Sequence, residues 1–128
     1  MEIALLKLVN ILATEETFSE QKLPIKVAYN LSKIYKIAKE ECEFYQQKFT
    51  EIINKYSERD ENGQPVFLDD GTSISIKKDE IDNCSEELKE LQNFKVEIPD
   101  FSFKLEDFGD VQLTLEEMEP LLEFICDN

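Results

Sequence analysis

The sequence predicts an α+β fold, with one long N-terminal helix over about residues 24–56, a small antiparallel β-element and two short helices packed near one end. Apolar residues recur at three- and four-residue steps from Ala28 through Leu31, Tyr35, Ala38, Cys42, Tyr45, Phe49, Ile52 and Tyr56, a helical seam kept up for four heptads. Past the turn cluster "SERDENGQP" the period changes to two: Ile74 and Ile76 alternate on one side of a hairpin turning at Asp70-Gly71. Near the C-terminus "TLEE" has the form of a capping box, in which Thr114 accepts from the amide of Glu117 and Glu117 reaches back.

At 128 residues and 15.0 kDa the chain suits a single domain, 1–128, with one core. The opening "MEIALLKLVNILATEETF" is apolar, but Glu2, Lys7 and the lack of a small-x-small cleavage site argue against an export signal. Residues 3–13 read instead as a buried helix or a buried strand. No run approaches the roughly 20 apolar residues that span a bilayer, so a soluble, intracellular protein with no membrane partner is expected. Pro24 suits the first turn of the long helix and Leu23 lies just outside it. At about 1.5 Å per residue that helix is on the order of 50 Å long, enough for one end to project or to pair with another chain. Ile81, Cys84, Leu88 and Leu91 mark a short amphipathic helix beginning near Asp79. Phe94/Val96/Ile98 and Phe101/Phe103/Leu105 then alternate as two strands separated by Pro99. Pro120 lacks an N–H and clashes one turn back in a continuous helix, so either "TLEEM" is one turn and "PLLEFI" restarts, or the helix kinks. Met118, Leu121, Leu122 and Ile125 read as core.

Charge is unevenly spread along the chain. Residues 1–57, the helical half, carry eight Lys and eight Glu, whereas residues 58–128, the mixed α/β half, carry 21 acids against Arg59 and five Lys and hold the whole net charge of -15. On a wheel, Lys22, Lys26, Lys33 and Lys36 fall opposite the Leu31/Tyr35/Ala38 seam and face solvent. Lys36 and Glu40, Lys39 and Glu43, and Glu51 and Lys55 stand four apart, the spacing of helical ion pairs. Neither Arg nor Gly accompanies these lysines, and the rest of the chain repels phosphate, so direct nucleic-acid binding is not expected. From Leu105 onward stand Glu106, Asp107, Asp110, Glu116, Glu117, Glu119, Glu123 and Asp127 without a single Lys or Arg, an acidic surface with a definite address.

The composition excludes most chemistry. With no His there is no Ser/His or Cys/His nucleophile, and three glycines cannot build a phosphate cradle. "DENGQPVFLDDG" is rich in oxygen ligands, but its glycine is fourth rather than sixth and Gly71 stands where a calcium loop needs a bidentate Glu. Asp69 with Asp70, or Glu116 with Glu117, are ordinary solvated acids at turns and caps. Cys42, Cys84 and Cys126 are far apart and odd in number, and the first two fall on apolar stripes, so they read as free packing thiols in a reducing compartment. No cofactor, no metal and no enzymatic activity are expected.

The order "KLPIKVAYNLSKI", a long helix ending "EIINKYSERDENGQ", then "EELKELQNFKVEIP" and "LTLEEMEPLLEFI" resembles an uncharacterised family of small proteins of phages and prophages of Gram-positive bacteria. The resemblance spans most of the chain; it implies a viral origin and a host cytoplasm, and supplies no catalytic residue. Two roles are then expected. In the first, the acidic residues Glu106, Asp107, Asp110, Glu116, Glu117, Glu119 and Glu123 imitate nucleic-acid phosphates and inhibit a host nucleic-acid-binding enzyme with a basic surface, such as a defence nuclease. In the second, a phage structural or assembly protein, chaperone or adaptor, forms a homo-oligomer through the long helix, with Tyr35, Tyr45, Phe49 and Tyr56 at the interface.

Overall fold

Glu2–Ala4 forms strand β1 and Leu5–Leu12 helix α1, so the apolar opening is both strand and helix in succession. The computed structural model describes residues 1–126, and its architecture is α+β. After α1 follow α2 (Glu15–Ser19) and the long helix α3 (Ile25–Tyr56), whose first hydrogen bond runs from the Ala28 N–H to the Pro24 carbonyl at 3.0 Å. Then come a 3-10 turn (Lys78–Glu80), α4 (Ile81–Asn93), β2 (Lys95–Glu97), β3 (Phe103–Lys104), a 3-10 turn (Leu105–Phe108), α5 (Leu115–Met118), a 3-10 helix (Glu119–Phe124) and β4 (Ile125–Cys126).

These elements belong to two compact units: Met1–Cys42 with Lys95–Asn128, and Glu43–Phe94. Of the two expected short helices, α4 lies in the second unit and α5 in the first. The charge imbalance read along the chain also levels out. The first unit holds 16 acids against eight Lys, net -8, and the second 13 acids against six Lys and Arg, net -7.

In the first unit β1 pairs antiparallel with β2, and β3 pairs parallel with β4. The two expected strands do not pair with each other, because β2 finds its partner at the N-terminal end of the chain and β3 finds its own in the last residues described. The core gathers Ile3, Leu8, Ile11, Phe18, Val27, Leu31, Ile34, Tyr35, Ala38, Ile98, Phe103, Phe108, Leu121 and Phe124. Along α3 the buried stripe is Val27, Leu31, Ile34, Tyr35, Ala38 and Cys42, while Ala28 is exposed. A face that packs against more than one element is wider than a two-per-heptad seam, so Val27 and Ile34 are recruited to it. Of the two alternations after α4, Val96, Ile98, Phe101 and Phe103 turn inward, whereas Phe94 and Leu105 at the outer ends are exposed.

At Pro120 the chain takes the restart rather than the kink. Thr114 caps α5: its hydroxyl accepts from the Glu117 N–H at 3.1 Å, and Glu117 Oε1 accepts from the Thr114 N–H at 3.4 Å. Pro120 is then the second residue of the 3-10 helix, where its missing N–H leaves no bond unmade. Three residues per turn put Leu121 and Phe124 on one face, both buried, and turn Leu122 out to 58% exposure, against the expectation that it is core.

In the second unit three segments after α3 each bridge the other two, through Ser57 and Ile76, Arg59 and Pro65, and Phe67 and Ile74. Backbone bonds close the set, from the Glu58 N–H to the Ser75 carbonyl at 2.8 Å, Val66 to Glu58 at 2.9 Å and Ser75 to Val66 at 2.8 Å. Ser57 is buried, and its hydroxyl donates to the Asn54 carbonyl at 3.0 Å where the helix gives way to the hairpins. The reversals use Gly63 at φ 76° and Gly71 at φ 74°, backbone that favours glycine. At the second turn Asp70 Oδ1 accepts from the N–H groups of Thr72 (2.9 Å) and Ser73 (2.8 Å), and Oδ2 from the Ser73 hydroxyl (2.7 Å). These bonds, the Ser73 hydroxyl foremost, pull the carboxyl down to about 2. A carboxylate depressed in the folded state contributes stability above its ordinary value of 3.8 and loses it as pH falls through about 2. The Asp70 carboxyl carbon is thus expected to titrate by NMR near 2, with the Thr72 and Ser73 amides still protected at pH 3. A midpoint at the ordinary value would show the turn bonds to be absent in solution.

Candidate functional site

The acidic residues expected to act together divide into two sets. Glu116, Glu117, Glu119 and Glu123 line one open groove of about 720 Å³ in the first unit, with Phe18 and Leu122 among its apolar walls. Glu116 sits on α5 and Glu119 and Glu123 on the following 3-10 helix, so the restart at Pro120 is what turns these carboxylates toward one depression. The opposite wall comes from α1, α2 and the residues joining them, including Lys7, Asn10, Thr14 and Thr17. Among the described residues Lys7 is the one cation of the lining, and it donates to Glu123 Oε1, so four carboxylates stand there against one ammonium.

Glu117 has two different oxygens. Oε1 is engaged in the cap with the Thr114 N–H and hydroxyl, while Oε2 is buried and finds no hydrogen-bond partner among the described residues. A buried carboxylate oxygen without a donor is destabilising until a donor reaches it.

Glu106, Asp107 and Asp110 are not part of this groove. Glu106 and Asp110 are exposed, whereas Asp107 is committed within the fold: Oδ2 accepts from the Lys104 N–H at 2.9 Å and meets Lys26 Nζ at 3.3 Å. The Lys104 bond, followed by Lys26, holds its carboxyl below the usual carboxylate range. Asp127 lies outside the described residues.

The helix residues expected at an interface also part company. Tyr35 is core, 7% exposed, with its hydroxyl 2.8 Å from Thr14 Oγ1, and burial raises its pKa. Tyr45 and Phe49 stack with centroids 6.0 Å apart; Tyr45 and Tyr56 are half-buried and Phe49 is 37% exposed. Lys22, Lys26, Lys33 and Lys36 are exposed as the wheel requires. The four-residue ion pairs do not form among the described residues: Lys39 meets Glu15 at 2.9 Å, Lys55 meets Glu87 at 2.8 Å, and Glu51 pairs with Lys48 at 3.2 Å. A long lysine side chain reaches a carboxylate brought near by the fold as readily as one on its own helix, and the helical pair is worth only tenths of a kcal/mol. Lys22, Lys36 and Lys39 line a second groove of the first unit together with Glu15.

Cys42 and Cys84 are buried free thiols, and burial pushes the pKa of each up, with Glu41 and Glu87 adding to it, so neither is poised as a nucleophile. No three His, Cys, Asp or Glu side chains among the described residues are grouped to hold a metal, and none of the described helices is long and apolar enough to cross a membrane.

Two features leave little or no signal in the sequence. The groove walls contributed by Lys7 and Phe18 come from the other end of the chain and leave no local signal. Phe44 and Phe94 line a further groove, in the second unit, of about 430 Å³. Its helix α3 wall did have a trace in the sequence, a row at Phe44, Lys48 and Lys55 that meets the main seam at Ile52 in three- and four-residue steps.

No protein-family model matches this chain, and neither a curated protein nor a solved structure does.

Proposed function

We propose that this is a non-enzymatic protein of viral origin that acts in the host cytoplasm by binding another protein, offering its acidic groove to a basic surface. The observation that carries the reading is the convergence of Glu116, Glu117, Glu119 and Glu123 on one groove with apolar walls, where Glu117 Oε2 is buried with no donor among the described residues. An incoming Lys or Arg would supply that donor once the Glu117 side chain turns Oε2 to the groove, and the flanking carboxylates would hold its charge while Pro120 and Leu122 cover its aliphatic stem. A protein whose basic surface ordinarily binds nucleic-acid phosphate, such as a defence nuclease, presents the matching chemistry, so occupancy of the groove would inhibit it.

The test is an affinity pull-down from host lysate, washed at low and high salt, with the wild type beside Glu116→Lys, Glu119→Lys, Glu123→Lys and Glu117→Gln. Gln keeps the capping box, so the last variant removes charge without loosening α5. Capture of a basic nucleic-acid-binding protein, lost at high salt, is expected. Each lysine variant should weaken it at least about tenfold, since close charge pairs across interfaces couple by about 1.5 kcal/mol or more and 1.4 kcal/mol is tenfold. Capture indifferent to all four changes would overturn the reading.

A second reading, a phage structural or assembly protein using the long helix as an interface, is favoured by Phe44 and Phe49, which stand 41% and 37% exposed on the second half of α3.

A further inference from the structure

Six of the eleven exposed large apolar side chains among the described residues fall in the second unit: Phe44, Phe49, Phe67, Leu68, Ile81 and Phe94. Two of them, Phe44 and the 58% exposed Phe94, line the groove between α3 and α4. The charges of that groove are laid out by sign. Lys48 and Lys55 come from α3, Glu87 and Glu90 from α4, and only Glu51 breaks the division. Lys48 also lies over the Phe44 ring at 5.9 Å, so the aromatic surface and the cationic side are one strip.

We infer that this groove is a two-fold interface between two copies of the chain, with α3 of each copy laid along α4 of the other. The inference deepens the assembly reading and rests on its premise that the second half of α3 carries an interface. Two arguments select a second copy as the occupant. The first is self-complementarity, since a two-fold rotation sets the lysine side of one groove against the glutamate side of the other, twice over. The second is charge balance. Two chains of net charge -15 repel each other over most of their surface, but here two Lys stand against three Glu, whereas the acidic groove of the first unit, four Glu against one Lys, would reject its own copy. Burying Phe44 and Phe94 supplies the attraction, as aromatic anchors do at the centres of interfaces. From residue 44 to residue 55 α3 rises about 17 Å, three turns along which a partner helix can lie.

The test is sedimentation equilibrium of the full chain at ~0.15 M salt, where a Debye length of about 8 Å screens the charge outside the contact. Wild type is expected to reach twice its chain mass of 15.0 kDa. Phe44→Ala with Phe94→Ala should weaken association at least about tenfold, as loss of two aromatic anchors does, with an unchanged far-ultraviolet spectrum. Lys48→Glu with Lys55→Glu sets acid against acid, and Glu87→Lys with Glu90→Lys sets base against base, so each protein alone should be monomeric. An equimolar mixture of the two should recover the dimer. Mixing cannot repair a misfolded chain, so recovery reads the interface even though both variants also lose the Lys55–Glu87 bridge within the unit.

Wild type that stays monomeric up to about 1 mM, where binding is worth only some 4 kcal/mol, overturns the inference. So does a dimer indifferent to the aromatic and charge changes. Loss of the second-unit interface as a whole is read separately: a monomer whose Phe44/Phe94 variant still captures the same phage proteins as wild type removes the assembly reading at this surface too.

Discussion

Replacing Phe103 by Ala is expected to destabilise the protein by about 3–5 kcal/mol, the range for removing a buried phenyl ring. Phe103 has no exposed surface; its ring centroid lies 5.7 Å from that of Phe108, and its backbone pairs with Ile125 in the parallel β3–β4 ladder. A two-residue strand cannot hold its place by hydrogen bonds alone, so the ring fixes the register that the ladder then completes. Against a typical total of about 5–15 kcal/mol, such a loss is a large fraction of the stability. With a urea dependence of about 2 kcal/mol per molar, the unfolding midpoint should fall by about 2 M. A shift under about 0.5 M, about 1 kcal/mol and well below the range for a buried phenyl ring, would mean that Phe103 is not packed as the β3–β4 register requires.

Leu121→Ala and Leu122→Ala, one residue apart, should behave oppositely. Leu121 is fully buried in the core, and its truncation is expected to destabilise by about 2–5 kcal/mol. Leu122 points outward over the acidic groove, and its truncation should stay within about 0.5 kcal/mol. The contrast tests the 3-10 helix directly. Had the chain continued as an α-helix, Leu122 would share the inward face with Met118 at four-residue spacing, and the two variants would cost comparable amounts. Chemical denaturation of both variants decides it. Equal losses would refute the restart at Pro120, and with it the geometry that aims Glu119 and Glu123 into the groove.

Much of the candidate site was legible because it is local. The acidic run, the Thr114–Glu117 capping box and the break at Pro120 are all written within residues 114–123, and together they place Glu116, Glu117, Glu119 and Glu123. Asp107 was misplaced because a free carboxylate and one bound to Lys26 across the fold have the same sequence signature. Tyr35 was misplaced for a related reason. It lies on the seam, but whether a seam faces another chain or this chain's own core depends on what folds against it, and here α1, α2 and the C-terminal segments do.

What the sequence by itself determined is what torsions and periodicity encode over a few residues: α3 from Ile25 to Tyr56, the reversal at Asp70-Gly71, the cap of α5 and the exposure of Lys22, Lys26, Lys33 and Lys36. Only the tertiary structure decided the partners. Strands β1 to β4 are two or three residues long, too short for a pattern to name a mate, and they pair Ile3 with Val96 and Phe103 with Ile125. The same closure spreads a charge excess that lies entirely past residue 57 into net charges of -8 and -7 on the two units. Pairing across such separations is selected by burial of the whole core and not by any local preference, which is why no stretch of the chain announces it.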